Sequence, residues 1–197
     1  EFHRAFYSNI GRKHKYHLES FIKALIIQKL FAFNLDSQLI FVLKNSDTLR
    51  DFCGFDKIPD GSYFTRFKQK YCYYLVDMFH KLVDITEPIC REIDAKKADY
   101  LIFDTTGIEP YVAENNPKFL NTKHWDNLYN HRVYIERTIF LLKDCFGLNT
   151  LRTQNTTTIK ADVYLAAITQ LIGVILAKSI HELKLFKSVR KLVKQAA

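Results

Sequence analysis

The sequence is poor in the residues that interrupt regular secondary structure, with 6 glycines and 4 prolines among 197 residues. Because these two residue types mark most tight turns, their scarcity predicts long helices and few turns. No internal repeat and no low-complexity segment is present. Nearly half of the residues are hydrophobic, so the chain can bury a core, and wholesale disorder is excluded.

The sequence has only four cysteines, and their spacing is not that of zinc ligands. The four cysteines, at positions 53, 72, 90 and 145, form no CxxC pair, and no histidine lies at zinc-ligand spacing from them. A zinc ribbon is therefore excluded. The pattern predicts reduced cysteines in the core of a cytoplasmic protein.

Long hydrophobic runs are missing. The most apolar run, residues 163–177, has 15 residues and contains Thr169 and Gln170, whereas a membrane-spanning helix needs about 20. The first 20 residues are polar and basic, unlike a signal peptide. The sequence therefore predicts a buried helix over residues 159–180 and no membrane partner. Because it begins with Glu1 rather than methionine, we expect a fragment or a processed chain.

What the chain has in excess is positive charge. Its formal net charge is +8 and its isoelectric point is about 9.2, and both halves of the chain contribute equally. Such a balance favours a polyanionic partner, either a nucleic acid or a membrane surface. Charge alone leaves both partners open.

The first 97 residues are predicted to form a helical domain. Phe21, Leu25, Ile26 and Leu30 recur at the helical period, and turn residues follow at the sequence IPDG. The predicted helices span residues 16–34, 36–43, 46–54 and 62–95, with Asp36 and Ser62 as caps and a break or kink at Pro88.

Residues 46–72 have the order helix, turn, helix. The second of these helices carries Arg66, Lys68 and Lys70 among aromatic residues. This pattern predicts a helix-turn-helix-like unit in which the three basic residues bind DNA. The alternative is an ordinary basic amphipathic helix with a solvated face.

The pattern changes at Ala98. A short apolar run ends at Asp104 and is followed by turn residues, which predicts a buried strand with a hairpin partner over residues 108–113. A further helix is predicted over residues 125–143, and residues 182–194 are predicted to form either a basic amphipathic helix or a frayed tail. The expected fold is thus mainly α with a small α/β part.

The most informative segment of the chain is the helix predicted over residues 125–143. At 100° per residue, Tyr129, Arg132, Glu136 and Lys143 lie on one stripe, with apolar residues opposite. A metal-binding carboxylate beside cations that hold phosphates is what phosphoryl transfer on DNA requires. The alternative is a solvated face with ion pairs between successive turns.

The spacing Y-x2-R-x3-E-x6-K of that stripe resembles the signature of bacterial insertion-sequence transposases of the DDE class, whose catalytic domain has the ribonuclease-H-like fold. LIFDTTG resembles the segment that holds the family's first catalytic aspartate. LRDFCGFDKIPDGSYFTRFKQKY resembles its helical N-terminal domain, and GLNTLRTQNTTTIKADVYLAAITQLIGVILA resembles the segment after the catalytic glutamate. The resemblance covers nearly the whole chain.

The resemblance implies roles for particular residues. Asp104 and Glu136 are the first and last of three carboxylates that hold two Mg²⁺ or Mn²⁺ ions. Arg132 and Lys143 clamp phosphates of the transposon end, and Tyr129 lies near the DNA end. The implied partners are double-stranded DNA with terminal inverted repeats and a second copy of the chain, in the bacterial cytoplasm.

The chain departs from the family pattern between the two acids. Only 31 residues separate Asp104 from Glu136, too few for the strands, helix and middle aspartate that the fold places there. Asp126 lies about 15 Å of helix axis before Glu136, so it is a better helix cap than a metal ligand. The sequence indicates an internal deletion near residues 115–125.

We therefore expect a helical N-terminal domain over residues 1–97 and a truncated ribonuclease-H-like domain over residues 98–197. The truncation predicts an incomplete site with impaired or absent strand cleavage, and an exposed sheet edge that favours marginal stability or self-association. Three hypotheses follow: a shortened transposase, a DNA-end-binding remnant or regulator, and a helical interaction protein with a fortuitous motif.

Overall fold

The computed structural model describes residues 1–7, 14–98, 123, 133–134, 136–149, 153–186 and 188–196. Within these ranges the regular elements are helices, which confirms the mainly helical prediction. The strands predicted between Ala98 and residue 113 lie outside the described residues, apart from Ala98 itself, which ends a helix. The helices are α1 (Phe2–Phe6), α2 (Leu18–Leu30), α3 (Asp36–Asn45), α4 (Asp47–Cys53), α5 (Gly61–Ala98), α6 (Thr156–Ser179) and α7 (Val189–Ala196), with a π-helical turn at Leu141–Cys145 and a 3-10 turn at Leu183–Leu185.

Local signals set the ends of α4 as the sequence predicts. Ser46 is the N-cap, and its hydroxyl oxygen accepts a hydrogen bond from the Leu49 amide at 3.3 Å. Gly54 ends the helix with φ of 74°, a left-handed conformation that glycine adopts without a steric penalty.

The start of α3 differs from the prediction. Asp36 is the first helical residue rather than the cap, and the Gln38 side chain satisfies the preceding amides of Asn34 and Leu35 at 3.0 and 3.2 Å. The Asp36 carboxylate is therefore left to bond elsewhere, inside the helical assembly.

Helix α5 continues through Pro88, where the sequence predicts a break or a kink. The backbone leaves helical geometry later, at Asp94, with φ of −160° and ψ of 92°. Pro88 is exposed, and because proline has no amide hydrogen, the carbonyl of Asp84 receives no helical hydrogen bond from it.

Helices α5 and α6 pack along each other in the same direction. The Gln69 amide nitrogen donates to the Thr158 hydroxyl at 3.3 Å near their beginnings, and Lys178 of α6 pairs with Glu92 of α5 near their ends. Between these points Phe79 lies against Tyr164, with ring centroids 5.3 Å apart.

Helix α6 completes the core of the N-terminal helices. Ala161 and Leu165 are fully buried in the same cluster as Leu25, Phe64 and Leu75. Among the described residues, α6 alone is long and apolar enough to cross a membrane by length and composition. Its contacts with α2 and α5 are those of a core helix. Although the sequence assigns α6 to the second domain, it packs with the first.

The chain after residue 140 also approaches the N-terminal helices at Gly147. This residue has φ of +71°, and a Cβ atom there would lie 2.7 Å from Asn34 Oδ1 and 2.9 Å from the Ala32 carbonyl. Both the backbone conformation and the close approach therefore require glycine.

We expect Gly147→Ala to lower the free energy of unfolding by about 2–4 kcal/mol, because left-handed strain and overpacking add. Gly54→Ala is the matched control: it has φ of +74°, but its nearest neighbour, Ser20 Oγ, is 3.5 Å away. It should show the strain alone. Urea unfolding measures both variants, and equal losses would mean that the contact at Gly147 contributes nothing.

Candidate nucleic-acid interface

The first turns of α5 present two exposed cations, Arg66 and Lys70, which are four residues apart and so lie one above the other on the helix. The Arg66 guanidinium is held in place: it donates to the Ser62 carbonyl and hydroxyl oxygens, both at 3.1 Å. Its Cζ atom lies 4.8 Å from the centroid of the Tyr63 ring. This cation–π contact fixes the charge at the surface without neutralising it.

Aromatic rings and a third cation extend this face of the molecule. Tyr16 meets Tyr63 edge to face, with ring centroids 5.4 Å apart, and Lys15 Nζ lies 5.5 Å from the Tyr16 centroid. We call the group of Lys15, Tyr16, Tyr63, Arg66 and Lys70 the basic aromatic surface.

A pocket of about 210 Å³ opens between α5 and the segment that precedes α2. Arg66 and Lys70 lie at its exposed side, and the buried rings of Phe6, Phe67 and Tyr71 form its interior. The Tyr71 hydroxyl is buried and has no hydrogen-bond partner among the described residues. The pocket thus combines cations, aromatic walls and an unsatisfied polar atom.

Lys68, the third basic residue predicted to bind DNA, lies in the interior instead. It is 4% exposed, and its Nζ atom is 2.9 Å from Asp36 Oδ1 and 3.4 Å from Asp162 Oδ2. At 100° per residue, a position two residues from both Arg66 and Lys70 faces away from them. The structure therefore gives Lys68 a packing role and leaves it out of the basic aromatic surface.

Lys68 belongs to a central charged cluster, which we define as Lys29, Asp36, Lys68 and Asp162. Lys29 is 1% exposed, and its Nζ atom lies 2.7 Å from Asp162 Oδ1. Burial lowers the pKa of Lys29, and the neighbouring Asp162 carboxylate opposes that shift. The cluster connects α2, α3, α5 and α6.

Two neutral groups complete the bonding of this cluster. Gln28 donates to Asp36 Oδ1 at 3.0 Å, and the Thr65 hydroxyl donates to Asp36 Oδ2 at 3.3 Å. The carboxylate of Asp36 thus accepts bonds from three side chains, which compensates for its removal from water. This cluster is not predicted from the sequence, although the charges of Lys29 and Asp162 within the largely apolar helices α2 and α6 are a signal for it.

The predicted catalytic residues are described only in part. Glu136 is exposed in the helical residues 136–140, and Lys143 is exposed in the π-helical turn that follows. Because a π-helical turn bonds each residue to the fifth along, the α-helical projection that aligned Lys143 with Glu136 does not hold there. Asp104, Tyr129, Arg132 and Asp126 lie outside the described residues.

A divalent metal site is not assembled within the part of the chain that the structure describes. No three or more histidine, cysteine, aspartate or glutamate side chains come together there at a spacing suited to a metal ion. The described residues therefore do not test whether Glu136 shares a metal site with Asp104, and that site stays a prediction.

A comparison with protein families gives independent information on the first helices. A family model described as "Transposase domain (DUF772)" matches residues 1–70, which include α1 to α4 and the start of α5. No curated protein and no solved structure matches the chain. The match supports a transposase-related function, and Arg66 and Lys70 lie within it.

Proposed function

We propose, from a transposase domain over residues 1–70, that the chain is a DNA-binding protein of transposition. Its basic aromatic surface contacts the phosphates of duplex DNA at transposon ends. The observation that carries this proposal is the pair Arg66 and Lys70, exposed on successive turns of α5 within the matched residues. A guanidinium held by Ser62 loses little freedom when it binds a phosphate, and it suits phosphate geometry.

The order of α4, turn and α5 supports a specific docking mode. Helix α4 ends at Cys53 and α5 begins at Gly61, so a short turn connects the two helices. The exposed face of α5 begins at its first turn. In helix-turn-helix proteins the N-terminal residues of the second helix approach the base edges while other groups hold the backbone. We propose that α5 acts as this second helix.

DNA strand cleavage is the finer proposal that the family resemblance implies. Asp104 and Glu136 would hold divalent metal ions, and Arg132 and Lys143 would hold the strand. Because Asp104 lies outside the described residues, we derive no catalytic step. The alternative proposal is that the chain acts through DNA binding, as an end-binding remnant or regulator of transposition.

We expect the double variant Arg66→Ala, Lys70→Ala to bind duplex DNA at least about tenfold more weakly than the parent chain at low salt. The slope of log K against log salt concentration is negative, and each lost phosphate contact reduces its magnitude by about 0.9, so the slope of the double variant should be less steep by about 1.8. Fluorescence anisotropy with a labelled transposon-end duplex at several NaCl concentrations measures both quantities.

The matched control is Lys81→Ala. Lys81 lies on the same helix, is 60% exposed and pairs with Asp77 at 2.8 Å, so it carries a cation away from the proposed surface. If the affinity for DNA falls equally in this control, the loss in the double variant is an effect of net charge and not of the proposed surface. Nicking of end DNA that requires Mg²⁺ and is lost in Asp104→Ala would instead establish the catalytic alternative. Binding with no nicking supports the end-binding role.

A further inference from the structure

We propose that the pocket beside Arg66 binds one unpaired nucleobase of a DNA strand, whose adjoining phosphate is held by Arg66 and Lys70. This inference rests on the proposed DNA-binding function and names the part of the DNA that the site takes. It extends the surface contact to a specific structural feature of the DNA, an unpaired residue at an end.

The size of the pocket selects a small planar group. Its volume of about 210 Å³ lies below the roughly 300–1,000 Å³ of pockets for drug-sized molecules. A folded peptide segment or a large cofactor does not fit such a space. One ring system with a short attachment does.

The walls of the pocket suit the face of a base. The rings accessible to a base are those of His14 and Tyr63, which are both exposed; His14 is supported from behind by the buried Phe6, with ring centroids 4.2 Å apart and an interplanar angle of 25°. Every base has a π-face, so aromatic rings bind unpaired bases with little dependence on sequence.

The polar groups of the pocket suit the edge of a base and its phosphate. The buried Tyr71 hydroxyl can donate or accept one hydrogen bond, and base edges carry both donors and acceptors. Buried hydroxyl groups without a partner are rare in folded proteins, so the Tyr71 hydroxyl has hydrogen-bonding capacity for a ligand. Lys70 Nζ lies 5.1 Å from the Tyr71 ring centroid, which places a phosphate-binding cation beside the same ring.

A base within a duplex is stacked on both sides and cannot enter the pocket. The occupant must be unpaired, as at a single-stranded overhang or a frayed end. Tyr63, Arg66 and Lys70 belong to both the pocket and the basic aromatic surface, so a DNA end whose phosphates contact that surface has its terminal residue beside the pocket. The pocket therefore distinguishes DNA ends from continuous duplex.

The test compares the full chain with three fluorescent duplexes: blunt, with a one-nucleotide overhang, and with the same overhang lacking its base. We expect the overhang to bind about tenfold more tightly than the blunt or abasic duplex, from stacking of one base. A 2-aminopurine in the overhang should lose emission on binding, because stacking on an aromatic ring quenches it.

Three variants connect the effect to the pocket. Tyr71→Phe keeps the ring and removes the hydroxyl, so it should reduce the overhang preference severalfold without changing the binding of blunt duplex. Tyr63→Ala removes an exposed wall and the ring beneath Arg66, so it should reduce the overhang preference and also weaken blunt-duplex binding. Tyr73→Ala is the control on the same helix, since Tyr73 is 76% exposed and does not line the pocket. It should leave the preference unchanged.

The outcomes separate the two proposals. Duplex binding that depends on Arg66 and Lys70 but shows no overhang preference overturns the pocket assignment and leaves the proposed function standing. A free deoxynucleotide that binds as tightly as the overhang duplex also overturns the assignment to DNA ends. Failure to bind any of the three duplexes overturns both proposals.

Discussion

Asp162→Ala should lower the free energy of unfolding by about 3–5 kcal/mol, among the largest effects expected of a single substitution in this chain. The Asp162 carboxylate accepts from Lys29 at 2.7 Å and from Lys68 at 3.4 Å, and all three side chains are buried. Alanine leaves the Lys29 ammonium in an apolar interior without its counter-charge. Urea unfolding followed by circular dichroism measures the loss.

Two controls identify the origin of that loss. Glu87→Ala breaks the exposed ion pair with Arg91 on α5 and should cost at most about 1 kcal/mol. The double variant Lys29→Met, Asp162→Asn removes both charges and nearly keeps their volume, so it should be more stable than Asp162→Ala. If the double variant is the less stable of the two, the orphaned charge is not the cause.

A fragment of residues 1–98 should fail to fold cooperatively, although the sequence marks residues 1–97 as a domain. Removing α6 takes Leu165 and Asp162 from the core and exposes the apolar faces of α2 and α5. The expected product retains helix, binds a hydrophobic dye and lacks a sharp urea transition.

Addition of a peptide spanning residues 153–186 should restore a cooperative transition to the fragment, because it supplies α6 and its carboxylate. The measurement is the urea dependence of near-ultraviolet circular dichroism with and without the peptide. A sharp transition in the fragment alone would establish that the N-terminal helices fold independently of α6.

Much of the local structure could be predicted because its causes are local. Ser46 and Gly54 bound α4 through hydrogen bonding and backbone conformation that involve only neighbouring residues. The apolar period likewise predicted α2 and the buried character of α6. The apolar period does not predict which helices pack against each other. Lys29 and Asp162, for example, form an ion pair although they are 133 residues apart in the chain.

The buried position of Lys68 can be predicted from the sequence. It lies four residues after Phe64 and three before Tyr71, so a helical projection puts it on the buried face of α5. The prediction that Lys68 binds DNA treated the three basic residues as one group and did not consider which face of the helix each one occupies. Arg66 and Lys70 have the opposite phase, and both are exposed.

For the basic aromatic surface, the sequence predicts a nucleic-acid-binding surface but not the pocket within it. Basic residues among aromatics indicated nucleic acid, but the pocket requires Phe6 and His14 to meet α5 from a distant part of the chain. The metal site that the family resemblance implies depends on Asp104, which lies outside the described residues. Its prediction rests on the sequence alone.

Because α5 and α6 run in the same direction, the segment that connects them can vary in length. From the pair at Glu92 and Lys178 back to the pair at Gln69 and Thr158 is about 35 Å of helix axis, so the chain that joins the two helices must return over that length. About a dozen extended residues cover it, and each doubling of a flexible connection costs only about 0.6 kcal/mol. A longer or shorter connection between the two helices should therefore change the free energy of their packing little.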